Sequence, residues 1–159
     1  MTGHTVPITG GCLCGAIRYE VSELPIETGT CHCRDCQKST GSAFMVMARF
    51  SHAALRYIKG EPKLYRSSSI KDKGFCSNCG SLLCDRYLVE NSETPGRRPD
   101  MVWIQIGTLD HPEASSVDWH YGVESQLPWV NFDDGLPQRR CDKDPGMAAD
   151  FAAAEAGEE

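Results

Sequence analysis

Two short cysteine motifs decide how this chain folds: GGCLCG at residues 10–15 and FCSNCG at residues 75–80. In an extended strand, the i, i+2 spacing of Cys12 and Cys14 places both sulfur atoms on one face. The C-x-x-C spacing of Cys76 and Cys79, followed by glycine, is typical of a zinc knuckle, a tight turn that directs two thiolates at one point. One pair from each motif gives a closed tetrahedral site, which predicts a structural zinc ion whose binding energy is also folding energy.

A third motif, CHCRDC at residues 31–36, has a different character. Cys31 and Cys33 share a strand face, and Cys36 returns at the following turn, so three thiolates converge without an adjacent fourth ligand. Three protein ligands with an open position are typical of a reactive zinc site. The open position suits water or an external thiol, which the metal would hold as a thiolate. We therefore expect any chemistry at these three cysteines.

Alternatives to this division remain open from the sequence. Cys84 or Cys141 could complete the second cluster and make it structural, although Cys84 after two leucines is typical of a buried apolar side chain and Cys141 of a free thiol. His32 lies between two ligands, and a strand would point it away from them. All-thiolate donor sets favour zinc over magnesium or calcium, and an iron–sulfur cluster is the alternative.

Composition narrows the classes of function. The 159 residues carry a net charge of −6, from 22 acidic and 16 basic residues, which argues against a nucleic-acid or anionic-membrane binder. No apolar run approaches the ~20 residues of a membrane helix, and we recognise no signal peptide. We expect a cytoplasmic protein whose thiols stay reduced, and a disulfide framework is the alternative use of nine cysteines.

Apolar periodicity predicts a β-rich domain over residues 8–140. Residues 17–21 alternate with period two, residues 43–50 are almost continuously apolar, and residues 101–106 place Val102 and Ile104 on one face with Trp103 on the other. A short helical turn is expected over residues 34–40, ended by glycine.

Two segments are expected to lie outside this domain core. Residues 90–99 are polar, with two prolines and a glycine, and are typical of an exposed loop. Residues 141–159 are acidic and alanine-rich without an apolar stripe, which predicts a loose tail or a frayed helix.

The three cysteine motifs resemble the glutathione-dependent formaldehyde-activating enzyme family, which also includes centromere protein V. Further similarity lies in HYGVESQLPW at residues 120–129, in Asp133–Asp134 and in Leu136–Pro137, so the resemblance runs from about Gly10 to Gln138. The chain departs from the family pattern where Gln138 replaces an aromatic residue and where residues 90–99 look like an insertion. These departures bear on the shape of the substrate pocket more than on the metal sites.

The resemblance implies a fold of two β-sheets arranged like a tent, with two zinc ions per chain. It implies a structural zinc on Cys12, Cys14, Cys76 and Cys79, and a second, more easily lost zinc on Cys31, Cys33 and Cys36. The activity that it implies is that of a carbon–sulfur lyase, which joins glutathione and formaldehyde into S-hydroxymethylglutathione.

Our leading hypothesis is therefore an enzyme whose partners are a small thiol such as glutathione and a small aldehyde. Glu124 and His120 are candidate proton donors if the fold brings them near the tripod. Arg34, Lys38 and Arg49 are candidates to bind the carboxylates of glutathione. The alternative is a non-catalytic, zinc-stabilised module that binds a thiol or a protein. The sequence makes no prediction about oligomeric state.

Overall fold

The computed structural model describes residues 3–157, and within them the chain is mainly β, with eleven strands and two α-helices. The strands are β1 (Ile8–Gly11), β2 (Arg18–Val21), β3 (Glu27–Cys31), β4 (Met45–Ser51), β5 (Leu55–Lys59), β6 (Lys63–Ser68), β7 (Lys71–Phe75), β8 (Leu82–Tyr87), β9 (Met101–Gln105), β10 (Trp119–Tyr121) and β11 (Gln138–Arg139). The α-helices are α1 (Arg34–Thr40) and α2 (Pro145–Ala156). Neither helix has the length and apolar content needed to cross a bilayer.

The strands of residues 3–157 form two sheets, which confirms the expected fold class. The small sheet has the order β1-β2-β5, and the large sheet has the order β11-β10-β3-β4-β9-β8-β7-β6. Strand β10 runs parallel to β3 and to β11, whereas the other neighbouring strands are antiparallel. The two middle strands of the large sheet are therefore β4 and β9.

Side chains alternate between the two faces of the large sheet along each strand, and each face packs in a separate cluster of buried residues. Phe50, Val102 and Ile104 pack with Tyr19 and Val21 of the small sheet, so the main core lies between the sheets. Met47 and Trp103 point to the opposite face and pack with Cys31, Cys36 and Met45. The predicted split between Val102 and Trp103 is therefore observed, and the second face carries the three-cysteine motif.

At the CHCRDC motif the local structure agrees with the sequence signals. The helix expected over residues 34–40 is α1, and it ends at Gly41, whose φ of 67° is the left-handed conformation that favours glycine. Cys33 is the N-cap of this helix, and its sulfur accepts a hydrogen bond from the backbone N–H of Cys36.

One local expectation is corrected at the first motif. Cys12 and Cys14 lie in the turn between β1 and β2 and not on an extended strand. The turn is closed by Gly15, whose N–H donates to the carbonyl of Cys12 at 3.1 Å, and whose φ is 74°. Turn geometry, and not the pleat of a strand, brings the two sulfur atoms together.

The segments expected to be loose are packed against each other. Residues 90–99 are an exposed loop only in part, since Ser92, Gly96 and Arg97 are buried. Arg97 lies in a short 3-10 turn, where its Nε lies 2.6 Å from Asp150 and its Nη1 lies 3.0 Å from Asp144. Both partners belong to the carboxyl-terminal segment, where Asp144 is the N-cap of α2. The prediction of a loose tail or frayed helix is therefore wrong for residues 145–156. Their helix lacks an apolar stripe, but ion pairs with Arg97 hold it against the domain.

Candidate metal centres and the adjoining cavity

The first candidate centre contains the sulfur atoms of Cys12, Cys14, Cys76 and Cys79, which all lie within 4.8 Å of one another. The Sγ atoms of Cys12 and Cys14 are 3.6 Å apart, and those of Cys14 and Cys76 are 3.9 Å apart. Tetrahedral Zn–S bonds of about 2.3 Å place sulfur atoms about 3.8 Å apart. The donor set and its spacing therefore fit a four-coordinate metal ion.

Neighbouring groups support these four sulfur atoms. The backbone N–H of Ile17 donates to Cys12 Sγ at 3.2 Å, and the side-chain amide of Asn78 donates to Cys14 Sγ at 3.1 Å. Such donors stabilise thiolates and orient metal ligands. One pair of cysteines belongs to the small sheet and the other lies between β7 and β8 of the large sheet, so the centre joins the two sheets.

The second candidate centre contains the sulfur atoms of Cys31, Cys33 and Cys36, again within 4.8 Å of one another. We call these three residues the tripod. Hydrogen bonds from the thiols of Cys31 and Cys36 lower the pKa of Cys33 far below its usual range. The contact with Cys33 raises the pKa of Cys31, and the contacts with Cys31 and then Cys33 raise the pKa of Cys36. The cluster therefore holds one negative charge readily, and three thiolates at this spacing require a bound cation.

No fourth cysteine, histidine or carboxylate of residues 3–157 joins the tripod sulfur atoms within the same distance. Cys84 lies in the core between the sheets, with its sulfur 3.8 Å from the hydroxyl of Tyr57. His32 points away from the tripod, and its Nε2 lies 3.3 Å from Nδ1 of His120. The nine cysteines all have free thiols and form no disulfide.

The tripod lies in the wall of a cavity of about 770 Å³. Pockets that bury a drug-sized ligand have volumes of about 300–1,000 Å³. Apolar and aromatic side chains from the sheet and from α2 also line it: Met47, Ile70, Tyr87, Trp103, Trp119, Tyr121, Met147 and Phe151.

Two arginines in the cavity wall are stacked on tryptophans. The guanidinium carbon of Arg49 lies 5.9 Å from the ring centroid of Trp103, and that of Arg139 lies 5.9 Å from that of Trp119. The two tryptophan rings meet edge to face at 5.9 Å. Arg49 Nε is 3.1 Å from Glu27, whereas Arg139 has no carboxylate partner among the described residues. These planar cations are suited to bind carboxylates.

A buried charge cluster adjoins the tripod. Lys71 Nζ lies 3.1 Å from Asp35 and 3.2 Å from Asp85, and Lys73 Nζ lies 3.0 Å from Asp35. Burial alone would lower the pKa of Lys71, but coulombic interactions, with Tyr87 and Asp85 foremost, outweigh it and keep that pKa well above its ordinary value. Lys71 is therefore protonated, and its positive charge helps to lower the pKa of the Cys33 thiol.

The structure separates the three basic residues that the sequence suggested for carboxylate binding. Arg49 lies in the cavity wall. Arg34 donates to the side chain of Gln37 and is not among the lining residues, and Lys38 lines a separate pocket of about 460 Å³. Arg139 was missed as a ligand-binding candidate, although the adjacent pair Arg139–Arg140 is visible in the sequence.

The two candidate proton donors do not line the cavity. The carboxylate of Glu124 accepts hydrogen bonds from the backbone N–H and from the thiol of Cys141. Burial and the neighbouring carboxylate raise the pKa of Cys141 to about 12, so this thiol, which does line the cavity, stays protonated. His120 is buried, with its Nε2 2.9 Å from Asp134.

Comparison with known proteins finds a matching family profile and, among the individual matches, a curated protein and a solved structure. The profile, described as "Glutathione-dependent formaldehyde-activating enzyme", matches residues 7–124. An uncharacterized lyase of Schizosaccharomyces pombe is 31% identical over 100 residues, which are 62% of this chain and 68% of the relative. A crystal structure of a Rhodobacter sphaeroides protein superposes with a TM-score of 0.49 and 20% identity, over 82% of this chain and 98% of the other. The profile match includes both cysteine clusters and ends before Arg139.

Proposed function

We propose, because this chain belongs to the glutathione-dependent formaldehyde-activating enzyme family, that it is a carbon–sulfur lyase which combines a small thiol such as glutathione with an aldehyde such as formaldehyde. The observation that carries the proposal is the difference between the two cysteine clusters. Four sulfur atoms form a closed set, whereas the three of the tripod face a cavity large enough for glutathione.

Zinc is the metal that we propose for both clusters, because soft thiolate donors at tetrahedral spacing suit it. Cys12, Cys14, Cys76 and Cys79 would hold a structural ion, and Cys31, Cys33 and Cys36 a second one. The chemistry that zinc supplies in an open site is to lower the pKa of a coordinated thiol, so that the thiol is bound as the thiolate.

The reaction is an addition that needs no oxidant or reductant. The thiolate sulfur forms a bond to the carbonyl carbon, the π electrons of the carbonyl move to its oxygen, and the proton lost by the thiol ends on that oxygen. Lyase activity is the reverse of these steps. Lys71 Nζ donates a hydrogen bond to Asp35 at 3.1 Å and lies 3.2 Å from Asp85 in an ion pair, and its positive charge would stabilise negative charge that develops beside the tripod.

Arg49 and Arg139 are the residues that we propose bind the two carboxylates of glutathione. Each guanidinium is oriented by stacking on a tryptophan of the cavity wall. Bidentate pairing of this kind would fix the tripeptide so that its sulfur reaches the tripod. A cytoplasmic location is in keeping with nine free cysteines.

A non-catalytic module that binds a thiol or a protein partner is the second candidate. Its support is the exposure of two large apolar side chains on the outside of the molecule, since Leu13 is 90% and Trp129 is 74% exposed. Large apolar side chains with this exposure are candidate contacts for a partner. Such a protein would bind glutathione without accelerating its reaction.

Paired serine substitutions test the enzyme proposal. We expect Cys33→Ser to keep the fold, because serine is also a good N-cap for α1, but to lose the catalysed exchange between glutathione and S-hydroxymethylglutathione measured by NMR at equilibrium. We expect Cys76→Ser to lose the structural metal and to lower the melting temperature sharply. Catalysed exchange in Cys33→Ser at the wild-type rate, or no measurable affinity of the zinc-loaded protein for glutathione, would sink the proposal.

A further inference from the structure

One side of the cavity is built by two segments that pack on each other. The 3-10 turn Pro95–Arg97 and the residue before it contribute Thr94, Pro95, Gly96 and Arg97 to the lining. Helix α2 contributes Met147 and Phe151, which lie outside the residues that the family profile matches. We call these residues of the 3-10 turn and α2 the outer wall.

Polar anchors fix the outer wall in place. Arg97 lies between Asp144 and Asp150 at the distances given above, the hydroxyl of Tyr121 donates to Asp144 at 2.8 Å, and the hydroxyl of Ser92 donates to Asp150 at 3.0 Å. Asp150 is 3% exposed, so its charge is buried and paired on two sides. These ion pairs and hydrogen bonds therefore hold the outer wall in a defined position at the cavity.

The side chains that this wall offers do not match the substrates named by the family. Formaldehyde adds a single carbon and a single oxygen to the thiol, and glutathione itself carries charged ends. Met147 and Phe151 share the cavity with Met47 and with the edge-to-face pair Trp103 and Trp119, and this apolar surface matches neither a one-carbon aldehyde nor the charged ends of glutathione. Binding of an apolar group to such a surface is favourable, because it removes apolar area of both partners from water.

We propose that the aldehyde substrate carries an alkyl chain or an aromatic ring, and that the outer wall binds this apolar group while the tripod faces the sulfur atom. The inference rests on the proposed function and specifies its substrate class. The bond changes are those of the addition given above, with the apolar group attached to the carbonyl carbon. The hemithioacetal of such an aldehyde with glutathione is the species that would fill the cavity.

Two stable thioethers of glutathione test the inference by calorimetry on the zinc-loaded protein. S-methylglutathione and S-hexylglutathione share the tripeptide and differ only in the length of the alkyl group. We expect the hexyl compound to bind about tenfold more tightly or better, since several buried methylenes contribute. Phe151→Ala and Met147→Ala should each reduce this preference, measured as the ratio of the two affinities, about threefold or more.

Leu24→Ala is the matched control, because Leu24 is an apolar side chain with 56% exposure that does not line the cavity. It should leave both affinities unchanged. Equal affinities of wild-type protein for the two thioethers would overturn the inference while leaving the proposed function intact. A preference that survives in both α2 variants would also overturn it. Failure to bind S-methylglutathione and glutathione alike would overturn the inference and the proposed function together.

Discussion

Gly29 makes room for an aromatic side chain that the cavity needs. It pairs with Trp119 across β3 and β10, and a Cβ atom at position 29 would lie 2.1 Å from the ring of that tryptophan. The ring can therefore lie over the strand only because residue 29 has no side chain. Its position in turn orients Arg139, which stacks on it.

We predict that Gly29→Ala destabilises the protein by about 1–3 kcal/mol, because the added methyl group must displace the ring of Trp119. Urea unfolding followed by tryptophan fluorescence measures the change, and the native-state emission should shift as well. Gly107→Ala is the control, since a Cβ there meets nothing within 4 Å. Equal stabilities for the two variants would contradict this account of Trp119.

Some site residues could be predicted from the sequence, and others could not. The cysteines were predictable because each ligand group spans only a few residues, so local chain geometry brings the sulfur atoms together. Lys71 and Trp119 reach the cavity through the register of strands far apart in the chain, which the sequence does not state. The suggestion of Glu124 as a proton donor depended on the same missing information, and its carboxylate instead holds Cys141.

At the level of elements, α2 illustrates a helix whose place is set by charge. Half of its residues are alanine and it shows no apolar stripe, so periodicity alone gave no reason to expect it to dock. The docking partner of Asp150 is Arg97, far away in the sequence and in a segment that looked like an exposed loop. The position of each segment depends on the other, because one buried ion-pair network joins Arg97 to Asp144 and Asp150. Neither segment could therefore be placed from its own sequence.

Arg97→Met should loosen α2 and cost about 3–5 kcal/mol in the free energy of unfolding, since it leaves Asp150 buried without its cation. The amide protons of residues 145–156 should also exchange faster with solvent. Arg98→Met is the neighbouring control: its ion pair with Asp100 is about half exposed on both sides, so we expect a change of about 0–1 kcal/mol. Unchanged exchange in α2 of the Arg97 variant would show that other contacts hold the helix.

In the whole molecule, the large sheet has the main core on one face and the candidate reactive site on the other. The face toward the small sheet carries the main core and the closed cysteine centre, which joins both sheets. The opposite face carries the tripod, the edge-to-face pair Trp103 and Trp119, and the cavity. Two sheets and a mainly β chain were predictable from the resemblance of the cysteine motifs to a known family. Strand β7 was not, because Lys71 and Lys73 are buried by pairing with aspartates and give no apolar pattern.

The central claim is that one centre is closed by four thiolates and the other keeps a position free for an external thiol. The most direct test replaces both metals with Co²⁺ and titrates glutathione while thiolate-to-cobalt charge-transfer absorption is recorded. We predict that the absorption rises, saturates at about one equivalent of glutathione per chain, and no longer rises in Cys33→Ser, because only the tripod can accept another sulfur. An absorption that stays constant in the fully loaded wild-type protein would contradict the claim.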